Sequence, residues 1–203
     1  IMRVAPIGLW GSIPNLENRQ IFSLASDAAE ITHGHPSGFL ASGFLAVVIA
    51  EIVRGIDLEV AIESAMKCLL EKDSRWEVVD AVEAAIRLSE TGTATFDKVE
   101  QLGQGWTAEE ALAISLYCAL TANNFEDGVV MAVNHGGDSD STGSITGQIL
   151  GSLYGLASIP NKWLDQLELR DTIDVISRDL YSIRIESVPS TPVASLFHRY
   201  PPN

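Results

Sequence analysis

Apolar residues recur at the spacing of an α helix along most of this chain. Over residues 18–31, one helix face carries Ile21, Leu24, Ala25, Ala28 and Ala29. The same periodicity predicts further helices over 37–54, 57–72, 77–89, 107–122, 125–134 and 141–157, with a last one near 173–181. The sequence shows no set of β-branched runs that alternate with helices, so the pattern predicts an all-α fold.

The segment 37–54 is apolar on almost every side, which indicates a helix at the centre of the core. Its uninterrupted apolar part, residues 38–50, is followed by Glu51 and Arg54. A membrane-spanning helix needs about 20 apolar residues. We therefore expect this segment to be too short to cross a bilayer, and the protein to have no membrane partner.

The composition fits one compact domain over residues 1–203. Of the 203 residues, 46% are hydrophobic, which is enough to bury a core without disulfides or a structural metal. No linker divides the chain, and the proline-rich end, 189–203, is expected to be an extended tail. Cys68 and Cys118 lie in apolar helical patterns and are expected to be buried free thiols. These thiols and the lack of a signal peptide predict a cytoplasmic location.

The formal net charge of −14 limits the possible partners. A nucleic-acid groove needs clustered Lys and Arg side chains to neutralise phosphates. The chain has 13 such residues against 27 acidic ones, so we do not expect it to bind DNA or RNA. An acidic surface instead favours the recruitment of cations.

The segment 135–147 carries more chemistry than any other part of the sequence. Asp138 and Asp140 follow a double glycine, and hydroxyl side chains are interleaved with them immediately before a predicted helix. Carboxylate and hydroxyl oxygens suit Mg²⁺, Mn²⁺ or Ca²⁺, whereas zinc prefers His and Cys ligands. The segment therefore predicts a site for a hard cation.

Four glycines follow at intervals of four residues and share one helix face: Gly143, Gly147, Gly151 and Gly155. Each glycine costs roughly 1 kcal/mol of helix stability relative to alanine. Four such residues on one stripe predict the close approach of another backbone at the centre of the protein.

Three other kinds of structure share parts of the aspartate pattern. An EF-hand loop matches its first half but requires a bidentate Glu where Ile149 stands. A haloacid-dehalogenase-like phosphatase begins with a similar aspartate pattern, but on a parallel sheet that the rest of the sequence does not predict. An aspartate that only caps a helix needs no metal, and this alternative stays open.

Four parts of the chain together resemble the ADP-ribosylglycohydrolase family, in the order in which that family carries them. They are residues 2–9, 32–36, 102–106 with 109–112 and 117–118, and 136–147. The resemblance implies an all-helical enzyme with a centre of two Mg²⁺ or Mn²⁺ ions, which hydrolyses the glycosidic bond between ADP-ribose and a modified acceptor. The substrate would then be an ADP-ribosylated protein or small molecule.

The resemblance also implies which residues form the metal centre. Asp138 and Asp140 would ligate the metals, and Ser141 would add a hydroxyl ligand. The family's acidic catalytic residue and its other metal ligands lie upstream of the segment that begins at Ile1, so the catalytic residue is unknown here. We accordingly expect a domain truncated at its N-terminus, with a complementary N-terminal segment as a partner.

Three residues match positions near the family's substrate: Met2, His33 and Trp106. His33 would line the cleft, and Trp106 would lie beside the adenine, where an indole can stack on a base. Two alternatives stay open, in which His33 hydrogen-bonds to carbonyls at a helix end and Trp106 packs in the core. The fold also serves without catalysis in eye-lens crystallins that resemble the family, but the intact aspartate motif argues against that role.

Overall fold

The computed structural model describes residues 1–14, 16–186 and Tyr200. Within these residues the regular secondary structure is helical, and no β strand occurs among them. The helices are α1 (Ala5–Gly11), α2 (Asn18–Glu30), α3 (Pro36–Val53), α4 (Leu58–Leu69), α5 (Trp76–Ser89), α6 (Phe96–Glu100), α7 (Ala108–Thr121), α8 (Phe125–Val133), α9 (Ser139–Tyr154), α10 (Asn161–Leu164) and α11 (Arg170–Glu186). The all-α prediction is confirmed, and this architecture does not favour a phosphatase built on a parallel sheet.

Every helix predicted from periodicity is present, with ends that differ by a few residues. The pattern missed α1, α6 and α10, because helices of one or two turns are too short to show a repeated apolar position. The tail predicted over 189–203 lies outside the described residues, apart from Tyr200.

Helix α3 lies at the centre of the molecule, as its uniform apolarity predicts. It contacts α1, α2, α4, α5, α7 and α9. The helix has 18 residues and a mean hydropathy of 1.8, so length and composition alone would allow it to cross a membrane. The expectation that the segment is too short is therefore wrong. Burial of 78% of the helix among its neighbours is what indicates a core helix.

The N-terminal segment is fixed against α3 by close packing and by one arginine. A Cβ on Gly8 of α1 would lie 2.6 Å from the carbonyl oxygen of Ala46, so the two helix backbones almost touch. The Arg54 guanidinium donates to the carbonyl oxygens of Gly11 at 2.9 Å and Leu16 at 2.7 Å. These contacts fasten the end of α1 and Leu16 to the end of α3. A separate hydrogen bond from Gln148 to the Met2 carbonyl oxygen places the first residues of the chain beside α9.

The glycine stripe of α9 meets side chains of α8 and not a second backbone. Gly147 and Gly151 would place a Cβ 3.9 and 3.8 Å from the Phe125 ring, which is ordinary van der Waals contact. A Cβ on Gly143 would lie 2.5 Å from the Val133 side chain. The expected approach of another backbone is therefore wrong. The stripe instead makes room for the first and last side chains of α8.

Cys68 and Cys118 are buried free thiols, as predicted. Burial raises the pKa of the Cys118 thiol to about 12. Burial also raises the pKa of Cys68, with a further contribution from the nearby Glu71 carboxylate. Since the thiolate is the reactive form, both cysteines are poor nucleophiles at neutral pH.

Candidate active-site cleft

Asp138 stands at the start of α9 but does not cap it. The residue occupies the N-cap position, yet its side chain makes no capping hydrogen bond to the backbone of the first turn. Its Oδ2 instead accepts a 2.7 Å hydrogen bond from the Ser141 hydroxyl. An aspartate that serves only as a cap would accept from the N–H groups of the helix. This geometry disfavours the capping alternative.

Asp140 lies on the exposed side of the same turn. A side-chain hydrogen bond with Asp138 lowers the pKa of the Asp140 carboxyl, against a smaller opposing effect of desolvation. The backbone N–H groups of Asp140 and Ser141 lower this pKa as well. The structure thus brings the two aspartates and the serine together, while their role as metal ligands remains a prediction.

His135 fixes the double-glycine loop through hydrogen bonds at both ring nitrogens. Its Nδ1 accepts a 3.1 Å hydrogen bond from the Gly137 N–H, and its Nε2 lies 2.9 Å from the Thr142 hydroxyl oxygen. The Thr142 hydroxyl is in turn 2.6 Å from the carbonyl oxygen of Ala132 in α8. The ring therefore connects the loop, the first turn of α9 and the end of α8.

A second loop wraps around the side chain of Glu110. Gly103 and Gly105 have φ angles of +110° and +79°, a conformation that favours glycine. The Glu110 carboxylate accepts hydrogen bonds from the N–H groups of Gln104 at 3.2 Å and Gly105 at 3.1 Å. The sequence from Thr107 to Glu110 has the pattern of a capping box, and a helix does begin there, but the Thr107 side chain makes no capping hydrogen bond and the Glu110 carboxylate does not bond to Thr107. The carboxylate reaches further back along the chain because the two glycines fold the loop onto it.

The two loops are joined by a backbone hydrogen bond. The Asp138 N–H donates to the Gln104 carbonyl oxygen at 2.7 Å. Contact is so close that a Cβ on Gly137 would lie 1.9 Å from that oxygen. The neighbouring Gly136 has open space where a Cβ would stand. Gly137 is thus the glycine of the pair that the structure requires.

Trp106 lies at the surface, with 67% of its area exposed. Its indole Nε1–H donates a 3.1 Å hydrogen bond to the side-chain oxygen of Gln104. The alternative in which Trp106 packs in the core is therefore wrong. One residue, Gln104, contacts the aspartate loop through its backbone and the indole through its side chain.

His33 also lines the cleft and lies just after α2. Its Nδ1 is 2.8 Å from the Thr32 hydroxyl oxygen, and the His33 side chain is exposed. The Arg3 guanidinium donates to the same hydroxyl at 3.0 Å and to the Ala28 carbonyl oxygen at 2.6 Å. Arg3, and not the His33 side chain, therefore donates the hydrogen bond to a carbonyl near the end of α2.

Met2 is held by Gln148, which the sequence alone does not identify as part of the site. The Gln148 side-chain amide in α9 donates a 2.7 Å hydrogen bond to the Met2 carbonyl oxygen. The Met2 side chain remains 42% exposed. Gln148 follows Ser141 by two helical turns, so the helix that carries the aspartate motif also positions the N-terminal loop. No local pattern marks Gln148, because its partner is far away in sequence.

These elements enclose one cleft of about 350 Å³. Five of the six residues predicted for the site line it: Met2, His33, Trp106, Asp138 and Ser141. Asp140 is not among the lining residues and lies next to Asp138. The cleft is concave and largely formed by loops and helix ends, which is typical of a small-molecule site.

The donor atoms at the start of α9 fit part of a site for a hard cation. Two carboxylates and a hydroxyl are oxygen ligands of the kind that Mg²⁺ and Mn²⁺ prefer. Across residues 1–14, 16–186 and 200, no group of three or more His, Cys, Asp or Glu side chains is arranged to hold a metal. Water or another polypeptide segment would have to supply the remaining ligands.

Proteins of known sequence similar to this chain include several ADP-ribose hydrolases. An uncharacterised protein of Archaeoglobus fulgidus is 28% identical over 94% of this chain and 59% of its own length. The ADP-ribosylarginine hydrolase Tri1 of Serratia proteamaculans is 24% identical over 89% of this chain and 45% of its own length. The ADP-ribosylhydrolase ARH3 of Mus musculus is 26% identical over 92% of this chain and 56% of its own length. The chain thus spans about half the length of these relatives.

A solved structure shows the same fold. The match to a chain described as an ADP-ribosylglycohydrolase-related protein complex has a TM-score of 0.66 and 30% sequence identity. It covers 88% of this chain and 57% of the other. The family model for ADP-ribosylglycohydrolase matches residues 1–188. The chain therefore belongs to the ADP-ribosylglycohydrolase family.

Proposed function

We propose that this chain forms part of the active site of a metal-dependent hydrolase that releases ADP-ribose from a modified acceptor. The observation that carries the proposal is that Asp138, Ser141, Trp106 and His33 all line the same cleft. Family membership supports hydrolysis of an ADP-ribose linkage. The relatives named for ADP-ribosylarginine and for ADP-ribosylated dinitrogen reductase support a modified protein as the substrate.

The start of α9 would hold Mg²⁺ or Mn²⁺, in a centre of two ions. Asp138 and Asp140 would supply carboxylate oxygens, and Ser141 would supply a hydroxyl oxygen. The hydrogen bond from Ser141 to Asp138 already brings two of these oxygens together. Bound divalent ions supply Lewis-acid chemistry and a template that orients the substrate and water. The acidic charge of the chain favours the capture of such cations.

The rim of the cleft would recognise the nucleotide. The exposed Trp106 indole offers a flat surface on which an adenine can stack. Its hydrogen bond to Gln104 fixes the orientation of the ring. The chain has few basic residues, so backbone N–H groups and bound metal would have to hold most of the pyrophosphate charge.

The part of the cleft lined by Arg3, Thr32 and His33 would hold the ribose and the acceptor. His33 is exposed there, and its contact with the Thr32 hydroxyl orients the ring. Arg3 anchors this wall through the Ala28 carbonyl. A non-catalytic, crystallin-like role is not favoured, because Asp138 at the start of α9 lines the cleft and its side chain does not cap the helix.

The test is release of ADP-ribose from arginine-linked and serine-linked peptides, with Mg²⁺, Mn²⁺ or excess chelator, by chromatography. The chain should be assayed alone and joined to the part of the Archaeoglobus fulgidus relative that it does not cover. We expect little turnover by the 203-residue chain and metal-dependent release by the joined protein. Robust release by the chain alone would show that the catalytic carboxylate has been misplaced, and release that survives the chelator would contradict metal dependence.

A further inference from the structure

His135 is fixed by partners on both ring nitrogens. Nδ1 accepts from the Gly137 N–H at 3.1 Å, and Nε2 lies 2.9 Å from Thr142 Oγ1. The ring is half-buried between the end of α8 and the start of α9. Thr142 is fully buried.

These contacts allow only one tautomer of the neutral ring. A backbone N–H can only donate, so Nδ1 carries no proton. The other acceptors within reach of the Thr142 hydroxyl are the carbonyl oxygens of Ala132 at 2.6 Å, Asp138 at 3.1 Å and Ser139 at 3.3 Å. Since the hydroxyl has one proton and donates it to a carbonyl, its oxygen accepts from Nε2–H.

The same threonine also touches the second loop. A Cβ on Gly105 would lie 2.9 Å from the Thr142 methyl group, and the Ser115 hydroxyl of α7 donates to the Thr142 carbonyl at 3.1 Å. The pair His135 and Thr142 therefore lies where α7, α8, α9 and both cleft loops meet.

We propose that His135 is a positioning residue, which holds the 136–138 loop so that the Asp138 carboxylate faces the cleft before any ligand binds. The effect of His135 on metal binding rests on the proposed function. The positioning of the loop does not rest on it, because the hydrogen bonds of His135 involve only atoms of the chain. Removal of a residue that positions a metal ligand typically lowers metal affinity by about 10- to 100-fold.

Substitutions can separate the two hydrogen bonds. In His135→Asn, the amide oxygen can replace Nδ1 and keep the Gly137 contact. In His135→Gln, the amide nitrogen can replace Nε2 and keep the Thr142 contact. Thr142→Ser retains the hydroxyl, whereas Thr142→Val retains the shape and loses both of its hydrogen bonds.

The experiment combines three measurements on the whole chain. Long-range ¹H–¹⁵N NMR of the wild-type protein, assigned with His135→Asn, should show the proton on Nε2 alone. Amide exchange at Gly137 and Asp138 should be about tenfold faster in His135→Ala and partly restored in His135→Asn. Mn²⁺ affinity by calorimetry should fall by about tenfold or more in His135→Ala and in Thr142→Val, but not in Thr142→Ser.

The outcomes distinguish this inference from the proposed function. A proton on Nδ1, or unchanged amide exchange in His135→Ala, would overturn the positioning role. If wild-type protein shows the expected tautomer and exchange but binds no Mn²⁺, the proposed metal site fails and the positioning role stands. Should His135→Ala fail to fold, the wild-type tautomer and the matched pair of Thr142 variants decide the question.

Discussion

The backbone N–H of Asp138 donates a 2.7 Å hydrogen bond to the carbonyl oxygen of Gln104. This contact joins the loop before α9 to the loop before α7, which are separated by two helices in sequence. The side chain of Gln104 also accepts from the Trp106 indole. The proposed metal ligand and the proposed base platform are therefore positioned by the same residue.

Gly137→Ala should disrupt this junction. Its Cβ would lie 1.9 Å from the Gln104 carbonyl oxygen, so one of the two loops must move. We expect a loss of about 2–3 kcal/mol in the free energy of unfolding, measured by urea denaturation. Gly136→Ala is the matched control, because open space surrounds that position. Equal effects from the two substitutions would show that the close approach is unimportant.

Trp106→Ala should weaken ADP-ribose binding without lowering stability. Base stacking contributes about 1–3 kcal/mol, so affinity should fall by about 5- to 150-fold. The side chain is 67% exposed, so little packing is lost. Calorimetric titration with ADP-ribose measures the change. Trp76→Ala is the control, since that side chain is 59% exposed and does not line the cleft. Similar losses in both variants would argue against stacking at Trp106.

Much of the fold and most of the cleft residues were predictable, because helical periodicity and the aspartate motif are local features. Contacts that depend on the fold of a loop, or that join residues distant in sequence, were not predictable. The pattern around Thr107 and Glu110 is that of a capping box, and only the folded Gly103–Gly105 turn diverts the carboxylate. Glycine spacing identified a packing face on α9, but it could not show that Phe125 lies against it.

Arg54→Met should destabilise the fold. The guanidinium donates to Asn18, to Glu51 and to two loop carbonyls, which would lose their donor. We expect a decrease of about 2–3 kcal/mol in the free energy of unfolding. Arg87→Met removes only an exposed ion pair with Glu83 and should cost less than about 0.5 kcal/mol. Thermal and urea unfolding of both variants measure the difference, and equal losses would refute the structural role of Arg54.

Stability should decrease at alkaline pH because of Cys118. Burial raises the thiol pKa to about 12 in the folded protein, whereas the unfolded thiol has a pKa of about 8.5. The unfolded state therefore loses its proton first, and the contribution to stability is lost as pH rises from about 9 towards 12. Urea unfolding of wild type and Cys118→Ala between pH 8 and about 10.5 tests this. Identical pH slopes for the two proteins would contradict it.

The carboxylates at the start of α9 are proposed to bind a divalent cation. The most direct test is calorimetric titration of Mn²⁺ into wild type and Asp138→Ala, with Asp80→Ala on α5 as the control. An oxygen-ligand site that loses a carboxylate loses affinity steeply. We predict that binding is abolished in Asp138→Ala and unchanged in Asp80→Ala. Equal Mn²⁺ affinity in wild type and Asp138→Ala would contradict the claim.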